Sequence, residues 1–221
     1  MGDRVELRAA DGHRFMVYRA VPEGTPKGLV VIAPEIFGVN NHIRSVADGY
    51  AADGYLTLAP QLFDRREPDF EAGYDQASIE AGRALMSEIS LDEALRDVEA
   101  CLQFGADVGK SAVIGYCWGG TIAWLAAARL AGLSCSVAYY GGGIPANRDE
   151  APRTPIMLHF GEQDQHPSIE DARAVAAMYP QAESNFYPAG HGFNCNERGS
   201  YDEASSRLAR ERTLAFLARH L

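Results

Sequence analysis

The stretch Ser111-Ala112-Val113-Ile114-Gly115-Tyr116-Cys117-Trp118-Gly119-Gly120 constrains this chain more than any other. It reads as a buried strand, an abrupt turn at Cys117 and a helix opening at Gly119-Gly120-Thr121. A side chain on so sharp a turn sits in a strained backbone conformation, and glycine on either side removes the Cβ atoms that would collide where strand and helix converge. Gly115-Tyr116-Cys117-Trp118-Gly119 has the spacing of a nucleophile elbow, with sulfur where serine is more usual. A thiol placed there lies near the positive end of a helix, which favours thiolate. The plainer alternative is a small buried cysteine between two convenient glycines.

The segments around it set the fold class. Arg4–Leu7 and Arg14–Tyr18 read as strands about a turn at Asp11-Gly12. Gly28–Ala33 is a continuous apolar, β-branched run, the pattern of a strand covered on both faces. Further strands are expected at Tyr55–Ala59, Ser134–Tyr140, Pro155–Phe160 and Glu183–Tyr187. Helices are expected at Asn41–Ala52, Ser78–Glu88, Leu91–Phe104, Ser168–Met178 and Tyr201–Arg219. Ser90 with Glu93 forms a capping box before the third of these. Pro60–Asp75, polar and rich in proline, is expected to be a long surface loop. Strands alternating with helices at this pace predict one α/β domain over residues 1–221, built on a mostly parallel sheet flanked by helices.

Charge narrows the partners. Thirty acidic residues against 20 basic ones leave a formal charge of −10, which repels phosphate backbones and anionic lipid. Neither nucleic acid nor membrane is an expected partner; no apolar run approaches spanning length. The opening Met1-Gly2-Asp3-Arg4-Val5-Glu6 lacks the apolar region of a secretory signal, and the four cysteines show no CxxC pair. A cytoplasmic protein with reduced thiols is the economical expectation. Cys101 and Cys135 fall on apolar faces and are expected to be packing residues. A monomer or small homo-oligomer is expected.

In a sheet of this kind reactive groups gather at the carboxyl ends of the strands. Glu35, Cys117, Asp164 and His191 each follow an expected strand. Nucleophile, then acid, then histidine is the chain order of α/β-hydrolases. His191 would take the thiol proton and return it to a leaving group, while Asp164 would hold the imidazole tautomer. Asp164 could equally be a turn or cap residue, with Glu162 its nearest competitor. A histidine between glycines could simply be solvent exposed. His13, His42, His159, His166 and His220 are rivals, and His159 and His166 flank Asp164 closely. The oxyanion hole is expected from the main-chain N–H groups of Trp118 and Ile36. No metal or other cofactor is called for, since no ligand cluster such as HExxH is present.

Five segments carry a specific resemblance: Pro34-Glu35-Ile36-Phe37-Gly38-Val39-Asn40, Gly115-Tyr116-Cys117-Trp118-Gly119-Gly120, Tyr139-Tyr140-Gly141, Gly161-Glu162-Gln163-Asp164 and Gly190-His191-Gly192-Phe193. Together, and in this order, the chain resembles the dienelactone hydrolase family. The resemblance implies an α/β-hydrolase fold without a large lid domain, a Cys117-His191-Asp164 triad and thiol activation by Glu35. It also implies a small lactone or carboxylic ester as substrate, with Phe37, Arg83, Tyr139 and Phe193 as candidate substrate contacts. A carboxylate near the thiol disfavours thiolate, so Glu35 could keep the resting thiol neutral until substrate binds.

The chain also departs from that family. Family members hold a substrate carboxylate with arginines, and Cys195 stands where one is expected after His191, while Arg83 is displaced in register. Arg65, Arg66 and Arg198 are possible substitutes, or ordinary solvated charges. Two other readings stay open: an amidotransferase-like or stress-response thiol protein, and a non-catalytic ligand-binding member of the fold. His191-Gly192-Phe193 lacks the His-x-Glu pattern of glutamine amidotransferases, which counts against the first.

Overall fold

The computed structural model describes residues 2–221, which divide at residue 111 into two compact halves. In the first, strands β1 (Asp3–Arg8) and β2 (Arg14–Ala20) form an antiparallel hairpin in which Asp3 pairs with Arg19 and Arg8 with Arg14. Gly12 turns the hairpin at φ +90°, a conformation that suits glycine. Strand β4 (Leu56–Pro60) pairs antiparallel with β2 and parallel with β3 (Leu29–Ala33). All five β3 residues are buried, as its unbroken apolar run requires.

The helices of this half start on side-chain caps. Asn40 accepts from the Ile43 N–H to open α1 (Asn41–Ala52), and Asp75 accepts from the Ser78 N–H to open α2 (Gln76–Ser87). Ser90 and Glu93 complete their reciprocal capping box before α3 (Leu91–Phe104). α2 begins two residues ahead of the expected start, Ser78, because Asp75 is the cap residue.

Pro60–Asp75 is the expected surface loop only in its later part: residues 66–75 are irregular and mostly exposed, but residues 60–63 are buried. A 3-10 turn at Leu62–Arg65 buries Leu62 and Phe63 completely. The Asp64 carboxylate accepts main-chain N–H groups from Met16 and Asp69 and anchors the turn to β2. One apolar pair among polar residues sets no period, so a propensity reading passes over it.

The second half is a run of parallel strands in chain order: β5 (Ser111–Tyr116), β6 (Cys135–Tyr139), β7 (Ile156–Gly161) and β8 (Glu183–Tyr187). Helix α4 (Trp118–Arg129) is buried from Trp118 through Ala128, which explains why its sequence is apolar all round. Ser168 caps α5 (Ile169–Met178), and Asp202 caps α6 (Glu203–His220). No helix among the described residues is long and apolar enough to cross a membrane.

Candidate active site

Cys117 links β5 to α4 with φ 55° and ψ −114°, a left-handed conformation uncommon outside glycine. A Cβ on Gly115 would lie 1.7 Å from the Gly119 carbonyl oxygen, and one on Gly120 would lie 2.6 Å from the Tyr139 carbonyl oxygen. The glycines therefore do what their spacing suggests. They let strand and helix backbones touch while the cysteine is thrown outward. The Cys117 N–H donates to the Tyr139 carbonyl at 3.0 Å, and the Cys117 carbonyl accepts from Gly120 at 2.9 Å. The residue remains partly exposed. Trp118 is the first residue of α4, so its N–H belongs to the turn in which a helix offers no acceptor of its own.

Asp164 follows β7 in a turn closed by its own N–H on the Gly161 carbonyl, and it is only 4% exposed. Its Oδ1 accepts the His166 main-chain N–H at 2.7 Å, and its Oδ2 lies 2.8 Å from Nδ1 of His191. The Cys117 sulfur lies within hydrogen-bonding reach of the same imidazole. Burial alone would push the His191 pKa down, but the charges and hydrogen bonds of Cys117 and Asp164 outweigh it and raise it to about 10. Cys117, His191 and Asp164 thus form one continuous chain of contacts. A ring engaged by a carboxylate at one nitrogen and facing sulfur can carry a proton to or from that sulfur.

The competing side chains are placed elsewhere. Glu162 is exposed and pairs with Arg173 at 3.2 Å. His159 is fully buried between the Tyr187 hydroxyl at 2.8 Å and the Thr213 hydroxyl at 3.0 Å. Burial and the nearby Arg212 push its pKa down to about 3, so it stays neutral. His166 meets Asp164 through its main chain, His13 stacks on Phe15, and His220 packs on Phe216. His42 is buried within α1.

In the first half, Glu35 is fully buried just past the end of β3, and Ile36 is 7% exposed. The chain here is tightly held. A Cβ on Gly82 of α2 would lie 2.1 Å from the Ile36 carbonyl oxygen, and one on Gly38 would lie 2.1 Å from that of Phe70. Gln61 Oε1 accepts the Val39 N–H at 3.1 Å, and the Phe37 carbonyl accepts from Ala72 at 3.1 Å. The segment expected to be free surface loop is what pins residues 37–39.

The expected substrate contacts fare differently. Tyr139 is fully buried, with its hydroxyl 2.7 Å from that of Thr213 and its ring stacked on Tyr116. Phe193 is fully buried against Tyr140 and Tyr187, and Phe37 is 1% exposed with its ring edge-on to Tyr74. These three are packed in the interior. Arg83 is exposed on α2 beside Gly82. Arg65 is committed to Asp97 and Asp11, and Arg66 to Glu93 and the Glu88 carbonyl. Arg198 lays its guanidinium against Gly192, where a Cβ would meet it at 2.5 Å, and Cys195 is buried.

Sequence reasoning missed two groups. The His166 N–H, which orients Asp164, is a main-chain donor with no side-chain signature. Tyr140 has φ +38° and places its ring 5.1 Å from the His191 ring. Its segment stands out in the sequence, but there Tyr139 is the expected contact. Among the described residues, no group of three or more His, Cys, Asp or Glu could hold a metal ion.

A family model described as the dienelactone hydrolase family matches residues 15–221. Carboxymethylenebutenolidase 1 of Cupriavidus pinatubonensis is 31% identical, over 99% of this chain and 97% of its own. The carboxymethylenebutenolidase of Pseudomonas putida is 29% identical, over 97% of this chain and 95% of its own. A crystal structure from Klebsiella pneumoniae subsp. pneumoniae superposes with a TM-score of 0.82 at 27% identity, covering 99% of both chains. A Pyrococcus furiosus esterase shares the fold at a TM-score of 0.72 and 15% identity, covering 100% of this chain and 93% of its own.

Proposed function

Since the chain belongs to the dienelactone hydrolase family and has the α/β-hydrolase fold, we propose that it hydrolyses small lactones or carboxylic esters through a cysteine nucleophile. The observation that carries this reading is the Asp164–His191–Cys117 contact chain, with the histidine pKa raised to about 10 by the other two groups. The family match over residues 15–221 supports treating the whole chain as one catalytic domain.

As the thiol proton passes to Glu35 or His191, the Cys117 sulfur attacks the substrate carbonyl, and the oxyanion is assigned to the main-chain N–H groups of Ile36 and Trp118. Collapse of the tetrahedral intermediate breaks the C–O bond and leaves an acyl-thioester on Cys117. The departing alkoxide takes its proton from His191, and in a lactone it stays tethered to the acyl group. His191, now neutral, removes a proton from water, which cleaves the thioester and restores the thiol. Asp164 holds the Nδ1 proton in place throughout.

Glu35 is assigned to activation of the thiol. Alkylation of Cys117 measured against pH, with and without a substrate analogue, separates Glu35 from His191 as the proton's destination. Full reactivity at neutral pH in the free protein assigns it to His191. Reactivity that emerges only with the analogue bound assigns it to Glu35.

Hydrolysis of activated esters, butenolides and dienelactone by the wild type, set beside Cys117→Ala, tests the proposal. Turnover lost in the variant is the expected result. A wild type inert towards all three classes would overturn it.

A further inference from the structure

His191 is flanked by glycines. Gly192 has φ +76°, and a Cβ on Gly190 would meet nothing within 4 Å. The backbone carrying the imidazole is therefore conformationally permissive. Ser200 Oγ donates to the His191 carbonyl at 2.7 Å, which fixes the main chain at one point. Asp164 fixes one ring nitrogen at 2.8 Å. A single hydrogen bond sets the distance of that nitrogen but leaves the ring free to pivot about it. Something must also fix the direction of the opposite nitrogen.

Tyr140 is built to do so. It ends β6 in the left-handed region, at φ +38°, which a bulky aromatic residue seldom adopts. In a continued strand, consecutive side chains would point to opposite faces of the sheet. Here the chain turns, and the Tyr139 and Tyr140 rings lie 6.1 Å apart at 76°. The Tyr140 N–H donates to the His159 carbonyl at 2.8 Å, which locks the turn to β7. The Tyr140 ring is fully buried and braced by Phe193 at 5.4 Å and Tyr116 at 6.3 Å. Its other neighbour is the His191 imidazole, at 5.1 Å and 63°. Backbone strain that serves to place a side chain against a reactive group points to function.

We propose that Tyr140 is a positioning residue for the reaction assigned above: its ring is a fixed wall that keeps the His191 imidazole directed at Cys117. The wall is hydrocarbon, so the contact belongs to the ring and not to the phenol. This inference rests on the triad reading, but its first readout needs no substrate.

Tyr140→Phe and Tyr140→Leu in the full chain test it, with the His191 ring followed by NMR titration and kcat and KM measured on an activated ester. Tyr140→Phe should keep the elevated His191 pKa and a kcat within about threefold of wild type, while Tyr140→Leu should lose about 100-fold in kcat with little change in KM. The His191 pKa in Tyr140→Leu should fall towards the free-imidazole value, because the ring drifts from the charges that raise it. Should Tyr140→Leu not fold, Tyr140→Gly removes the wall while relieving the left-handed backbone. Wild-type values of both quantities in the ring-free variant would overturn the proposal. So would equal losses in Tyr140→Phe and Tyr140→Leu. A wild type inert towards every ester, yet with a His191 titration that depends on the Tyr140 ring, would strike the substrate reading alone.

Discussion

The Nδ1 atom of His191 lies 2.8 Å from Oδ2 of Asp164, and the other oxygen of that carboxylate is already occupied by the His166 N–H at 2.7 Å. This division of labour predicts the effect of Asp164→Asn. The amide oxygen of asparagine must stay on the His166 N–H, so its NH2 group turns to face Nδ1. Nδ1 must then be the acceptor, which places the single proton of neutral imidazole on the nitrogen facing sulfur. The base is held in the wrong tautomer. Turnover should fall by about 10⁴-fold, the loss known for the same exchange in a serine triad. An ester-hydrolysis assay showing less than about a tenfold loss would mean that another carboxylate serves the histidine.

The raised His191 pKa has two donors of negative charge behind it, Cys117 and Asp164, acting against burial. Cys117→Ala should therefore lower it from about 10, as read by NMR titration of the imidazole. The sign for stability follows from linkage. Between the ordinary value of 6.5 and about 10, the native ring holds a proton that the unfolded chain has released. The stabilisation is complete below 6.5 and is lost as pH rises through about 10. Unfolding midpoints measured from pH 7 to 10.5 should decline less steeply in Cys117→Ala than in wild type. Parallel slopes would show that the sulfur does not hold the ring's charge.

The elbow, the parallel strands and the capped helices were legible because each has a local cause. Glycine spacing around Cys117, an unbroken β-branched run at Leu29–Ala33 and the Ser90/Glu93 box are written within a few neighbouring residues. What escaped is held by main-chain groups. Neither the His166 N–H on Asp164 nor the left-handed turn at Tyr140 has a side-chain pattern to announce it. Three of the residues expected to touch substrate, Phe37, Tyr139 and Phe193, are packed in the interior. Tyr139 reads as a polar aromatic beside the site, yet its hydroxyl is satisfied by Thr213, which stands 74 positions away. Leu62 and Phe63 were hidden by their polar neighbours, although they are fully buried.

Gly115→Ala tests whether the elbow depends on backbone contact. A Cβ at that position would lie 1.7 Å from the Gly119 carbonyl oxygen and 2.7 Å from the Gly120 nitrogen, and neither atom is the yielding end of a flexible side chain. Strand β5 and helix α4 would have to separate, at a cost of about 3 kcal/mol or more by comparison with overpacked cores. Gly109→Ala is a matched control: nothing lies within 4 Å of its Cβ, so its cost is limited to the positive φ of 107°. Urea denaturation should show Gly115→Ala far less stable than Gly109→Ala. Similar midpoints would mean that the strand–helix junction accommodates a methyl group.

Arg65 and Asp97 form the most deeply buried ion pair described, with side chains 5% and 0% exposed and contacts of 2.7 and 2.9 Å. Burial pushes the Asp97 pKa up to about 7, against the lowering effect of Arg65. Removing the guanidinium leaves a buried carboxylate without its counter-charge, so Arg65→Met should cost about 3–5 kcal/mol at pH 8. The loss should shrink at pH 5.5. With its pKa raised, native Asp97 takes up a proton there that the unfolded chain, at 3.8, does not, and a neutral acid is cheaper to bury. Arg65→Met combined with Asp97→Leu removes both charges and should recover most of the stability, because an apolar pair of similar volume replaces a desolvated one. Urea midpoints for the three proteins at the two pH values provide the measurement. A penalty for Arg65→Met that is the same at both would place the cost in Asp11, the other carboxylate that Arg65 holds at 2.9 Å, and not in Asp97.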